Sequence, residues 1–198
     1  MLNQILVSIP TGFQLAMVFQ DVIRRWHQVQ PGLDWAAVLC AFPAGPASLP
    51  GQVERLGLIN CFQWHLEDKC RENYASQAIL AELKHAIDLS NQRRVSMIDA
   101  IDDEVARQLL WHEHAAQPTR LALITPGNLM DRLSILELKH HHAQSIDPHK
   151  TTTSTEMIAL IEEQIEDLCT GMDELVQDLL TGRLRLKVYR TVKIYGTG

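Results

Sequence analysis

What this 198-residue chain lacks removes several classes of function before any motif is considered. It has no run of about 18 apolar residues, so no segment reads as a membrane span and membrane insertion is not expected. The opening MLNQILVSIPTGFQ has no basic residue ahead of its apolar stretch and carries Gln, Ser, Pro and Thr through it. It reads as a poor signal peptide, and a cytoplasmic location is expected. Positive charge is short: 18 Lys and Arg stand against 24 Asp and Glu, a net charge of −6. Non-specific binding to a phosphate backbone needs a basic field, so no nucleic-acid partner is expected. The four cysteines at 40, 61, 70 and 169 form no CxxC pair, which argues against zinc ribbons and dithiol redox chemistry and leaves free thiols in a reducing compartment. The nucleophile elbow G-x-S-x-G, the P-loop, the Rossmann glycines and HExxH are all missing, so no motif specifies a cofactor.

The remainder has the makeup of a globule, 46% hydrophobic and 21% charged. A chain this long can bury roughly 70% of its unfolded surface. It reads as one helical domain over 1–198, an all-α, largely antiparallel bundle of about five main helices. The first covers about 11–28 and ends at Pro31-Gly32. The stretch CAFPAGPASLPGQ, rich in Pro and Gly, reads as a loop. A second helix runs from about Val53 to Glu72, and a third from an N-cap at Ser76 to about Leu110. TPG opens the fourth, with Thr125 as N-cap and Pro126 at the first helical position, and it reaches about His142. Leu129, Leu133 and Leu136, with Met130, Ile135 and Leu138, make that helix apolar nearly all round, which places it centrally.

The fifth helix, about 155–181, carries Ile158, Ile161, Ile165, Leu168, Met172, Leu175 and Leu179. Their alternating spacings of three and four describe a narrow seam packed lengthwise on another helix, and Gly182 is placed to stop it. The final stretch RLRLKVYRTVKIYGTG holds Arg183, Arg185, Lys187, Arg190 and Lys193 with no acid. It reads as a basic tail docked on the bundle, either against the acidic body or facing an anionic ligand.

The informative anomaly is in the third helix. Its apolar stripe runs Leu80, Leu83, Ile87, then Ile98, Ile101, Val105 and Leu109, and helical spacing carries it through Asn91 and Arg94. Asp102 lies on the same side, since 94, 98 and 102 are four apart. A buried guanidinium stays charged and costs several kcal/mol unless it is paired. Partners are on offer: His65, Glu67 and Asp68 in WHLEDK, and Asp131, Arg132 and Lys139 in the fourth helix. These residues define a polar site between facing helices, with a purely structural buried network as the competing reading.

At WHLED (64–68), NQRR with the following I and ID (91–102), TPGNLMDRLSILELK (125–139) and YRTVKIY (189–195), the chain resembles family 4254 of domains of unknown function, over about 55–195. Asn128 departs from that pattern, where many relatives carry an acid or a serine. The resemblance implies a bacterial group of short helical proteins, often encoded beside glycosyltransferase and surface-polysaccharide genes. It implies a setting and no reaction, and whether the chain is an enzyme stays open.

The nine histidines include His112, His114 and the run His140 to His142. Neighbouring helical residues point about 100° apart, so the run cannot chelate one ion. They read as surface imidazoles, and no metal site is assigned. His65 differs in standing beside two acids, as a general base or a satisfied core histidine. The first function expected is binding of a small anionic ligand, a phosphorylated sugar or nucleotide sugar. His65, Glu67, Asp68, Asn91, Arg94, Asp102, Asp131, Arg132 and Lys139 form its site, with Arg190 and Lys193 added from the tail. The alternatives are a scaffold whose fifth-helix seam or tail docks a glycosyltransferase or a second copy, and a Mg-dependent all-α phosphohydrolase using Glu67, Asp68, Asp102 and Asp131.

Overall fold

The computed structural model describes residues 9–43, 45, 47–71, 76–109, 120–145 and 152–189. Among them are six helices and one pair of two-residue strands, an all-α bundle. The helices are α1 (Gly12–Val29), α2 (Trp35–Ala41), α3 (Leu49–Cys70), α4 (Gln77–Leu109), α5 (Pro126–Gln144) and α6 (Thr152–Leu180). The strands are β1 (Arg120–Leu121) and β2 (Leu184–Arg185), paired in parallel.

The helix starts follow from local chemistry. Thr11 accepts from the Gln14 backbone N–H while the Gln14 side chain accepts from the Thr11 N–H, a reciprocal cap that fixes the start of α1. Ser76 and Thr125 accept from the third residue onward in α4 and α5. The proline-rich loop is shorter than the composition implies. Leu49-Pro50-Gly51 already forms the first turn of α3 behind Ser48, because a proline in the first turn costs no hydrogen bond. The short helix α2, capped by Asp34, was not anticipated.

Two helices are enclosed. In α3 every residue from Leu56 to Gln63 is buried, which requires neighbours all round; α1, α4 and α5 supply them. In α5, residues 129–138 are buried except Arg132 and the half-buried Ile135. One core joins Leu15, Phe19, Leu56, Ile101, Met130, Leu133 and Met172 across α1, α3, α4, α5 and α6. A second gathers Val22, Trp26, Phe42, Phe62 and Leu138 near the end of α1.

The α6 seam is filled by this chain itself. Cys169, Met172, Leu175 and Leu179 are buried in the main core, and Ile161 packs with Leu136 and Ala143 of α5. That face is therefore not free for a second copy or a glycosyltransferase. The N-terminal part of α4 is likewise less enclosed than its stripe implies, with Leu80 exposed. The tail docks as far as it is described: β2 pairs with β1, Leu184 and Leu186 join the core, and Arg183 binds Asp178 at 2.6 Å. Arg190 and Lys193 lie outside the described residues. The cysteines are all free; Cys61 and Cys169 are buried, Cys70 is half-buried, and Cys40 is exposed.

Candidate functional site

Arg94 leaves α4 toward α5 and meets Asp131 in a two-pronged ion pair. Its Nε donates to Oδ1 at 2.7 Å and its Nη2 to Oδ2 at 2.6 Å. This fork is the strong geometry for guanidinium and carboxylate. The Asp131 side chain is 10% exposed and Arg94 26% exposed, so the pair is sunk on the acid's side and open on the base's. The hydrogen bonds that Arg94 donates to Asp131, opposed by burial, hold it more firmly charged than usual. Asn60 of α3 donates to the same Asp131 Oδ1 at 3.1 Å and to Ser134 Oγ at 3.2 Å.

A second layer lies above this pair. The Gln63 amide donates to Glu67 at 3.1 Å and to Asn91 at 3.0 Å, linking α3 to α4. Gln63 Oε1 and the neighbouring Trp64 Nε1 are buried without a partner among the described residues. Asn60, Gln63, Trp64 and Glu67 form one wall of a groove of about 320 Å³. Arg71 of the α3 end, Arg94 of α4, and Ile135, Leu138 and Lys139 of α5 complete its lining. The lining therefore holds three cations and one carboxylate.

The other residues named from the sequence fall in different places. Asp68 is exposed and pairs with Arg71 at 2.6 Å. Arg132 is exposed outside the groove: one helical step from the buried Asp131 turns it about 100° away. Lys139 is exposed at the groove mouth. His65 turns from the groove; its Nδ1 binds the Cys61 carbonyl at 2.7 Å and its ring faces other histidines.

Asp102 is buried as the stripe requires, yet it serves a backbone. Its Oδ1 accepts from the Gly127 N–H at 2.7 Å, at the start of α5. Burial raises its pKa, against the opposing pull of its bonds to Thr125 and Gly127. A Cβ on Gly127 would stand 2.7 Å from the Ile98 carbonyl oxygen, so glycine is what lets α4 and α5 touch there. The TPG start thus spends the Gly127 N–H on a carboxylate from the same chain, and α1 repeats the device, Gly12 N donating to Asp173 at 2.8 Å.

With Asp131 held by Arg94, Asp102 by Gly127 and Asp68 by Arg71, these acids do not converge into a magnesium cage. Among the described residues the one group of three or more ligating side chains close enough to share an ion consists of histidines. The sequence reading also missed Asn60, Gln63 and Ser134; the interruption of the α3 core by polar INCFQ was the available signal.

The family model for Protein of unknown function (DUF4254) matches residues 51–188. The chain belongs to this family. No curated protein and no solved structure matches it. The DUF4254 span contains every groove residue and leaves α1 and α2 outside it.

Proposed function

We propose that the groove binds a small anion that also carries hydroxyl groups, with a phosphorylated sugar as the best-suited chemistry. The reading rests on one observation: Asp131 fixes Arg94 through Nε and Nη2, no hydrogen bond engages Nη1 among the described residues, and Arg94 lines the groove together with Lys139. A guanidinium positioned beforehand loses less freedom on binding an anion. The unpartnered Gln63 Oε1 supplies an acceptor and Trp64 Nε1 a donor for the neutral part of the ligand. Glu67 takes Gln63 on Oε1 and faces Arg71 at 3.9 Å with Oε2, a distance at which Oε2 can also accept from a hydroxyl. A volume of about 320 Å³ is at the low end for ligand sites, which favours a monosaccharide phosphate over a nucleotide sugar.

The test is calorimetry with glucose 1-phosphate, inorganic phosphate and glucose as separate probes. The sugar phosphate should bind more tightly than either part alone. Arg94→Met should abolish that binding while circular dichroism shows the helices intact, and Lys139→Ala should weaken it about fivefold. Binding unchanged in Arg94→Met, or none of the probes binding the wild type, would remove the proposal.

A further inference from the structure

Beyond the groove, on the far side of Trp64, three helices bring histidines together that lie far apart in sequence. His27 is in the last turn of α1, His65 near the end of α3, and His142 near the end of α5. One ring nitrogen from each lies within 4.8 Å of the others, and all three residues are half-buried. The ring centroids of His27 and His65 are 5.2 Å apart, those of His27 and His142 5.1 Å, and those of His65 and His142 5.6 Å.

We propose that His27, His65 and His142 form a binding site for one divalent first-row transition ion of the zinc class. Three features of the geometry point there. His27 Nδ1 lies 2.8 Å from the Ile23 carbonyl and His65 Nδ1 lies 2.7 Å from the Cys61 carbonyl. A carbonyl can only accept, so each Nδ1 is the donor, and in the neutral ring each Nε2 carries the free lone pair. Metal-bound histidines almost always donate their other N–H in this way, which fixes both tautomer and ring orientation. Secondly, His27 Nε2 and His142 Nε2 are buried with no hydrogen-bond partner among the described residues. A buried imidazole nitrogen without a partner is costly, and an ion would satisfy both at once. Thirdly, Trp64 stacks on His142 with the planes 8° apart, holding the third ring in place.

The size fits. Imidazole nitrogens bind zinc at about 2.0–2.1 Å, so nitrogens up to 4.8 Å apart need to draw in by only about 0.7 Å each. Side-chain rotation covers that. An all-imidazole set selects a transition ion over magnesium or calcium. A cavity of about 350 Å³ beside Trp26 and Gly32 reaches both His27 and His65. Through it an ion could enter and take water or a substrate oxygen as a fourth ligand, as in zinc sites with three protein ligands. His27 precedes the DUF4254 match, so the site joins the family region to the helix before it.

The experiment uses the full chain stripped with a chelator, then titrated with Zn²⁺ by calorimetry and with Co²⁺ by visible absorption. One ion per chain should bind, and Co²⁺ should give the intense ligand-field bands of a low-coordinate nitrogen site. His65→Asn and His142→Asn should each weaken Zn²⁺ at least fiftyfold and remove the Co²⁺ bands. His85→Asn, at an exposed position on α4, should change neither. Should His142→Asn disturb the fold by circular dichroism, His27→Gln serves in its place. No saturable binding, a stoichiometry other than one, or equal weakening by His85→Asn would overturn the assignment.

Discussion

Replacing Arg94 by Met leaves Asp131 as a buried carboxylate whose donor is reduced to Asn60 at 3.1 Å. Removing one member of a fully buried ion pair costs about 3–5 kcal/mol, most of it from stranding the other charge. Here the acid is 10% exposed and the base 26%, and Asn60 remains, so about 2–3 kcal/mol is expected. Asp131→Leu strands the guanidinium on the more open side and should cost about 1–2 kcal/mol. The double variant removes both charges and fills the space with apolar atoms. Asn60 keeps Ser134 as an acceptor at 3.2 Å, so the double variant should fall within about 1 kcal/mol of wild type. The coupling between the sites is then about 2–5 kcal/mol. Urea unfolding reads it directly: with a slope of about 2.5 kcal/mol per M, Arg94→Met should lower the midpoint by about 1 M. The double variant should recover most of that, yet bind no sugar phosphate. A coupling below about 0.5 kcal/mol would refute the reasoning, because the two charges would then not depend on each other.

Two further outcomes follow from neighbouring contacts. Gly127→Ala places a methyl 2.7 Å from the Ile98 carbonyl oxygen and 2.9 Å from Asp102 Oδ1, so α5 must lift from α4. A loss of about 2–3 kcal/mol is expected, read as a lower melting temperature; an unchanged one would show that the helices part freely. Glu137 is 2% exposed, and its only hydrogen-bonding side chain among the described residues is Gln20, at 3.2 Å to each oxygen. Burial raises its pKa, against the pull of Gln20 and of His140 nearby, while Cys169 also lies within its field. The folded state therefore holds this proton more tightly than the unfolded chain does. Stability from the site is present below the unfolded carboxyl's ordinary range and is lost as pH rises through the raised value. Glu137→Gln should add about 1 kcal/mol at pH 7.5 and nothing near pH 4; a gain of equal size at both would refute burial of a charge as its cause.

The sequence spoke clearly where one residue broke a strong pattern. An arginine in the apolar stripe of α4 demanded an inward carboxylate, and Asp131 stands against it. It spoke less clearly about which face of α5 answers. That helix is apolar nearly all round, so periodicity alone could not separate buried Asp131 from exposed Arg132. Asp102 shows a different limit: its burial was readable, but its partner is a backbone N–H that appears only once Gly127 packs on Ile98. The two-residue strands have no pattern long enough to see. The histidines were least legible. Judged along the chain, His140 to His142 point apart as separate surface rings. Folding half-buries His141 and His142, because the end of α5 packs against the ends of α1 and α3.

Why both candidate sites border α3 follows from helix geometry. Asn60, Gln63 and Glu67, spaced by three and four, share one face and build the groove wall. Cys61 and His65, spaced by four, share the next face, where the Cys61 carbonyl orients the His65 ring. Trp64 stands between these faces, lining the groove and stacking on His142. A helix with a single polar stripe could serve only one of them. Because α3 is enclosed by α1, α4 and α5, each polar face must be met by a side chain from a neighbour. Arg94 and Asp131 meet the first, and His27 and His142 meet the second. The same enclosure that buries Leu56 to Phe62 therefore obliges the polar residues among and after them to find partners, and those partners are what give both sites their fixed geometry.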